Sequence, residues 1–266
     1  MVLAAATRGI NVMEVTRRIA MWSGPRNIST AMMRAFENRP DCAVVDEPFY
    51  AAYLATTGYE HPGGDEVIAS QSVDWQVVAR ALTSDKPAPV YYQKHMTQHL
   101  LPNMDLGFTD QLENCFLIRD PRRIIASYAR VRPSFVLEEL GFEQQLALFR
   151  READRRGDAP PVLDAALTLA DPEGVLRALC DRLDLPFSNA MLSWPAGPRD
   201  SDGVWAPHWY SAVWASTGFA APDSGAGGAG DSSGADEVRL TEAQERLGER
   251  AEEIYREMRP HALGDH

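Results

Sequence analysis

The hydrophobic positions of the chain fall into two alternating patterns. Short apolar runs recur at 19–22 (I-A-M-W), 42–45 (C-A-V-V), 89–92 (P-V-Y-Y), 114–118 (N-C-F-L-I) and 161–163 (P-V-L). Each is bounded by turn residues and has the length of a buried strand. Between them, apolar residues return at helical spacing: Ile28, Met32, Met33 and Phe36; then Val67 to Ala81 within 65–82; then 137–156; then Val175, Leu176, Leu179, Cys180 and Leu183. A last amphipathic helix opens at Thr241 and carries Leu247, Ala251, Ile254, Tyr255 and Met258. Asp120-Pro121 and Asp171-Pro172 are helix starts, an N-cap followed by a proline at the first helical position. Strands alternating with helices predict an α/β fold: a central, mainly parallel sheet with helices on both faces, in three layers.

The pattern also sets the boundaries. Residues 1–16 read as a loose N-terminal arm and 17–219 as one α/β domain. Residues 220–237 are rich in Gly, Ser and Ala and too poor in large apolar groups to offset their ordering entropy, which predicts a flexible linker. Residues 238–266 form a C-terminal helix expected to pack back on the domain. With 266 residues and 45% hydrophobic content, one full core is within reach.

Charge and cysteine content narrow the class of partner. A net charge of −12 repels nucleic acid and anionic membrane surfaces, so neither is expected as a partner. Three scattered cysteines, Cys42, Cys115 and Cys180, read as buried thiols of a reducing cytoplasm. No apolar run approaches roughly 20 residues, and the first residues lack a secretory leader. Cytoplasmic localisation and a small-molecule ligand are therefore expected. Oligomeric state is not legible. The chain holds two lysines, Lys86 and Lys94, which makes a lysine inside a motif notable.

Candidate chemistry gathers at the carboxyl ends of the predicted strands, where ligands sit in open parallel sheets. After the first strand, Ser23-Gly24-Pro25-Arg26-Asn27 leads into a helix whose first turn holds Ser29 and Thr30. Backbone N–H groups, the positive end of a helix dipole and a fixed guanidinium there converge on an anion. The second strand ends at Asp46-Glu47-Pro48, two carboxylates at a sheet edge. The third ends at Lys94-His95, and His95 is a candidate general base because its ordinary pKa lies near neutrality. His95 and His99 have the i, i+4 spacing of a metal pair, but no third ligand accompanies them, so no metal is expected. The fourth strand runs into Arg119, followed by Ser127 two turns into the next helix. Trp194, Trp205, Trp209, Tyr210, Trp214 and Phe219 crowd a loop-rich stretch suited either to a core or to a pocket wall.

Three of these stretches resemble the P-loop sulfotransferase superfamily, whose donor is 3′-phosphoadenosine 5′-phosphosulfate (PAPS). Pro25-Arg26-Asn27-Ile28-Ser29-Thr30 is similar to its first motif. Arg119-x-Pro121-x5-Ser127 meets its R-x-P-x5-S motif in full. The run from Lys94 and His95 to Leu100-Leu101-Pro102 is similar to its catalytic-histidine segment, and Asp46-Glu47-Pro48-Phe49 looks like the segment of branches that use a glutamate as base. Two departures stand out. Ile28 occupies a position where the family has glycine, so the loop backbone need not follow the family's. Ala31 replaces the tryptophan that stacks on adenine, and Gly197-Pro198-Arg199 through Trp205 is the one stretch that offers a substitute for the missing 3′-phosphate loop.

The resemblance implies a three-layer P-loop-type fold and a transferase moving the sulfuryl group of PAPS to a hydroxyl or amine of a small acceptor. Arg26, Asn27, Ser29 and Thr30 would hold the 5′-phosphosulfate, and Arg119 and Ser127 the 3′-phosphate. Arg26 and Lys94 would supply charge in transfer, and His95, the favoured candidate, or Glu47 the base. No metal is implied. The alternatives are a P-loop kinase-like phosphotransferase, which needs magnesium and a Gly-Lys-Ser/Thr loop, and a non-catalytic domain that binds PAPS or its product adenosine 3′,5′-bisphosphate (PAP).

Overall fold

The computed structural model describes residues 16–130, 132, 135–219 and 241–264. The expected linker at 220–237 and all but the last residue of the expected N-terminal arm lie outside the described residues. Five strands form one sheet: β1 (Arg17–Ser23), β2 (Cys42–Asp46), β3 (Val90–Met96), β4 (Glu113–Ile118) and β5 (Val162–Asp164). Their order is β2-β3-β1-β4-β5, and every pairing is parallel. The helices are α1 (Ser29–Glu37), α2 (Tyr50–Thr57), α3 (Gly64–Ser70), α4 (Trp75–Thr83), α5 (Pro121–Ala129) and α6 (Phe142–Arg156). They continue with α7 (Ala165–Ala170), α8 (Pro172–Arg182), α9 (Ala206–Trp209), α10 (Ser211–Trp214) and α11 (Glu242–Met258).

Side-chain alternation along the strands divides the core into two layers. Ile19, Met21, Val90, Tyr92, Cys115, Leu117 and Leu163 face the layer built by α1, α7 and α8. Ala20, Trp22, Tyr91, Phe116, Ile118 and Val162 face the layer of α2 to α6 and α11. With the sheet buried on both faces, its strands read as continuous apolar runs, which is why they were visible in the sequence. The expected three-layer α/β architecture is what forms.

Two expected helices are interrupted, each for a local reason. The stretch 65–82 divides into α3 and α4 because Asp74 caps a new helix, accepting from the N–H groups of Gln76 and Val77. Gln71, in the break, is tied to Ala51 and to the carbonyl of Glu47. The stretch 137–156 divides at Gly141, where φ is +70°. A Cβ there would fall 2.5 Å from the backbone nitrogen of Gln98, so the close approach of α6 to the turn after β3 requires glycine. On the far side, α11 starts from a capping box at Thr241 and Gln244. It is joined to the domain by Tyr255 Oη donating to Asp164 at 2.7 Å and by Arg150–Glu257 and Arg250–Glu143 ion pairs.

β1 lies at the centre, with chain progression leaving it toward β3 and β2 on one side and β4 and β5 on the other. That is a topological switch point, and the loops after β1, β2, β3 and β4 meet outside the carboxyl edge there.

Candidate active site

These loops enclose a cavity of about 200 Å³. Its wall takes Pro25 to Ala31 from the β1–α1 loop and Glu47 and Tyr50 from the end of β2 and the start of α2. Lys94, Met96, Gln98 and His99 come from β3 and its following turn, Arg119 and Tyr128 from the β4–α5 unit, and Trp209, Tyr210, Ala212 and Val213 from the aromatic stretch.

The β1–α1 loop forms an anion cradle. Its path is closely packed: a Cβ on Gly24 would fall 2.8 Å from the carbonyl oxygen of Leu140. Arg26 and Ile28 both take left-handed backbone conformations, with φ of +58° and +47°. Ile28 therefore adopts the geometry that glycine favours, despite its branched side chain. Holding a branched residue in that conformation costs about 1–2 kcal/mol. The turn leaves the backbone N–H groups of Asn27, Ile28, Ser29, Thr30 and Ala31 without an acceptor among the described residues. The Asn27 side chain points away from this cradle's front and donates to the carbonyl of Leu117 at 2.6 Å, tying the loop to β4.

The second motif closes on the first. Arg26 Nε donates to Ser127 Oγ at 2.9 Å, and Arg119 donates to the carbonyl of Arg26 at 2.7 Å. Asp120 caps α5 by accepting from the Arg122 N–H, which sets Ser127 on the inner face. Two guanidinium groups, the Ser29–Thr30 turn and a helix N-terminus thus bear on one space, with buried Ser127 touching Arg26 from behind the wall. These residues fit a nucleotide with a phosphosulfate on one side and a second phosphate on the other.

The acidic pair after β2 is held by one lysine. Asp46 lies beside Lys94 in the β2–β3 register. Lys94 Nζ lies 2.8 Å from Asp46 Oδ1, 2.5 Å from Glu47 Oε1 and 2.6 Å from Tyr210 Oη. Those contacts use all three ammonium hydrogens. Tyr210 Oη in turn donates to Asp46 Oδ2 at 2.6 Å and accepts from the Trp205 indole at 3.1 Å. Burial works against the Lys94 charge, but Asp46 and Glu47 outweigh it and raise its pKa. Glu47 is pushed up by burial; the ammonium opposes this and the Asp46 charge adds to it. Its φ is +38°, a second strained residue at the sheet edge. Glu47 Oε1 is clamped by Lys94, whereas Oε2 has no partner among the described residues and is not sealed from solvent.

His95 does not reach this cavity, which corrects its assignment as the favoured base. Side chains alternate along β3, so Tyr92, Lys94 and Met96 share one face while Gln93 and His95 turn to the other. The His95 ring is buried, stacked on Trp22 at 4.0 Å between centroids and held by Gln93 Oε1 at 3.1 Å. Burial pulls its pKa down to about 3. The Trp22–His95 register pairing makes the stack a consequence of strand alignment. The stretch 197–205 is likewise absent from the wall. Asp202 pairs with Arg34 and accepts from the Trp214 indole at 2.9 Å, pinning the segment to α1.

Several wall residues carried no assignment from sequence. Gln98, Tyr50, His61, Tyr128 and Tyr210 arrive from separate elements, and no spacing pattern links them. His99, read in sequence only as half of a metal pair, stacks on Tyr50 at 4.7 Å, and Tyr50 Oη bonds His61 Nδ1 at 2.6 Å. The aromatic stretch had been left open between core and pocket wall: Trp209 and Tyr210 line the cavity, whereas Trp194 packs against Phe219.

Residues 17–234 match the family model described as a sulfotransferase domain. The chain therefore belongs to the sulfotransferase domain family. Among curated proteins it is 38% identical over 196 residues to "Branched-chain-amino-acid aminotransferase-like protein 1" of Arabidopsis thaliana, covering 73% of this chain and 35% of that one. "Branched-chain-amino-acid aminotransferase-like protein 2" of the same plant is 36% identical over the same coverage. The chain spans about a third of the length of these relatives. Among solved structures it is similar to a sulfotransferase domain from the Synechococcus PCC 7002 olefin synthase, with a TM-score of 0.48, 16% identity, and coverage of 89% of this chain and 95% of that one. A sulfotransferase domain from the curacin biosynthetic pathway gives a TM-score of 0.48 at 13% identity, covering 90% and 98%. No helix among the described residues is long and apolar enough to cross a membrane.

Proposed function

We propose that this sulfotransferase takes PAPS as donor and passes its sulfuryl group to a hydroxyl or amine of a small acceptor, with Glu47 as the general base. The observation that carries the proposal is the arrangement of Glu47. One carboxylate oxygen is fixed by Lys94 and the other is open to a cavity that also holds the anion cradle. Bound PAPS supplies a sulfuryl group on a good leaving phosphate. The backbone cradle, Arg26 and Arg119 hold the phosphosulfate and stabilise charge on the leaving oxygen. Ser127 and Arg119 hold the 3′-phosphate. Glu47 Oε2 takes the acceptor's proton as the new bond to sulfur forms and the old S–O bond leaves with its electron pair on PAP. Burial raises the Glu47 pKa toward the working range, which strengthens it as a base relative to an exposed carboxylate. Lys94 serves chiefly to orient Glu47, since its hydrogens are committed.

Single-turnover kinetics on Glu47→Gln and His95→Ala test this. Glu47→Gln should lower the rate roughly 10²–10⁴-fold with PAP affinity retained. His95→Ala should keep most of the rate per folded molecule. The reverse pattern would return the base to the histidine. Calorimetric titration of PAP against ATP, with and without magnesium, separates this donor from the one a kinase uses.

A further inference from the structure

We infer that the acceptor is a small, neutral polyhydroxylated molecule; this rests on the donor reading above and specifies the class of substrate for the same cavity. Beyond Glu47, the wall away from the anion cradle carries three reachable polar groups from two places in the fold. Gln98 and His99 come from the turn after β3, and Tyr128 from α5. These side chains are 6%, 2% and 3% exposed. Gln98 Nε2, His99 Nε2 and Tyr128 Oη make no hydrogen bond among the described residues, yet none is sealed from solvent. Since all three residues line the cavity, those atoms open into it.

The wall is polar without being charged. Burial, reinforced by the Lys94 charge, drives the His99 pKa well below its usual value, so the ring is a neutral imidazole. Arg132 is paired with Glu139 at 3.0 Å and does not line the cavity. Lys94 is committed to its carboxylates. An anionic acceptor would meet the Glu47 carboxylate beside a lysine whose hydrogens are already committed. An ammonium would pair with Glu47 and deprive it of its role as base.

An apolar alcohol or a simple phenol would bury the three groups without partners, at about tenfold or more in affinity for each. Neighbouring hydroxyls answer all of them, because each hydroxyl both donates and accepts. One can donate to His99 Nε2, another accept from Gln98 Nε2 or Tyr128 Oη, and a third stand before Glu47 Oε2. The Tyr50 ring, stacked on His99, and the Trp209 ring supply flat faces for the C–H side of such a molecule.

The experiment measures transfer of labelled sulfuryl from PAPS to glycerol, myo-inositol and glucose against 1-hexanol and phenol, with PAP titrated calorimetrically in the same preparations. The wild-type protein should favour at least one polyol over both monohydroxy probes by tenfold or more in kcat/KM. Gln98→Leu and His99→Phe, the latter keeping a ring against Tyr50, should each reduce that preference about tenfold, with PAP affinity within twofold of wild type. A wild-type preference for hexanol or phenol overturns the inference. So does an equal loss for every acceptor in the two variants, which would make the residues structural. If PAP binds and no polyol is sulfated, the acceptor class is wrong and the donor reading stands. If PAP fails to bind, the donor reading fails and this inference goes with it.

Discussion

Arg26 Nε stands 2.9 Å from Ser127 Oγ, which joins two sequence motifs 101 residues apart in a single contact. The pairing arises because β1 and β4 are neighbours in the sheet, so the loops at their carboxyl ends must share space. The same guanidinium that bears on the phosphosulfate side also orders the hydroxyl proposed for the 3′-phosphate. On the donor reading proposed above, the two ends of PAPS would be read by connected groups.

That connection predicts how substitutions divide between nucleotides. Ser127→Ala should weaken PAPS binding by about 1 kcal/mol, the worth of one hydrogen bond, and leave adenosine 5′-phosphosulfate nearly unaffected. Arg119→Ala should cost PAPS roughly 2–4 kcal/mol. It should also weaken adenosine 5′-phosphosulfate, to a smaller degree, because Arg119 supports the carbonyl of Arg26. Equal losses for the two nucleotides in Ser127→Ala would place the second phosphate elsewhere.

Ile28 offers a test of backbone strain. Its side chain is buried, so any truncation loses packing. The comparison of two truncations removes that common loss. Ile28 is the N-cap of α1, where glycine is already preferred to alanine, and the positive φ adds to that preference. At φ +47°, Ile28→Gly should be more stable than Ile28→Ala by about 1 kcal/mol in urea unfolding. Should the alanine variant prove the more stable, the left-handed turn is not present in solution.

Three buried histidines make the fold sensitive to acid. Burial holds His95 down to about 3; burial, aided by the Arg132 charge, holds His61 down to about 4; and His99 is shifted in the same direction. Their native pKa values lie below the unfolded value near 6.5, so under that pH the unfolded chain binds protons the native state refuses. Stability should fall as pH drops from about 6.5 toward 4, by up to roughly 4 kcal/mol per pH unit near pH 5. Glu47, with its raised pKa, works in the opposite direction and moderates the slope. His95→Gln should lower the slope by about one proton. Stability that stays flat between pH 6.5 and 5 would mean the rings are protonated in the native protein.

Tyr210 holds the acidic pair together from a distant part of the chain. Its hydroxyl contacts Lys94, Asp46 and Trp205, so Tyr210→Phe leaves buried polar groups short of partners at about 1–3 kcal/mol of stability. The hydroxyl also helps keep the Glu47 pKa from rising further. Its loss should move the acidic limb of the kcat/KM profile to higher pH. An unmoved limb with reduced stability would restrict Tyr210 to a structural role.

The sequence by itself determined the layered α/β architecture, because a sheet buried on both faces demands apolar runs that stand out between amphipathic helices. It also exposed the anion-binding loop and the Arg119–Ser127 motif, since both are local: a strand end, a turn and the first turns of one helix. It placed Glu47 and His95 as rival bases and favoured His95, whereas the tertiary structure puts Glu47 on the cavity wall and His95 off it. Adjacent residues on a strand face opposite layers, so when Lys94 turned to the cavity His95 was carried behind the sheet onto Trp22. The rest of the wall was also decided by packing alone. Gln98, His99, Tyr128 and Tyr210 come together because strand order and loop closure bring their elements to one edge, and no spacing along the chain encodes that meeting.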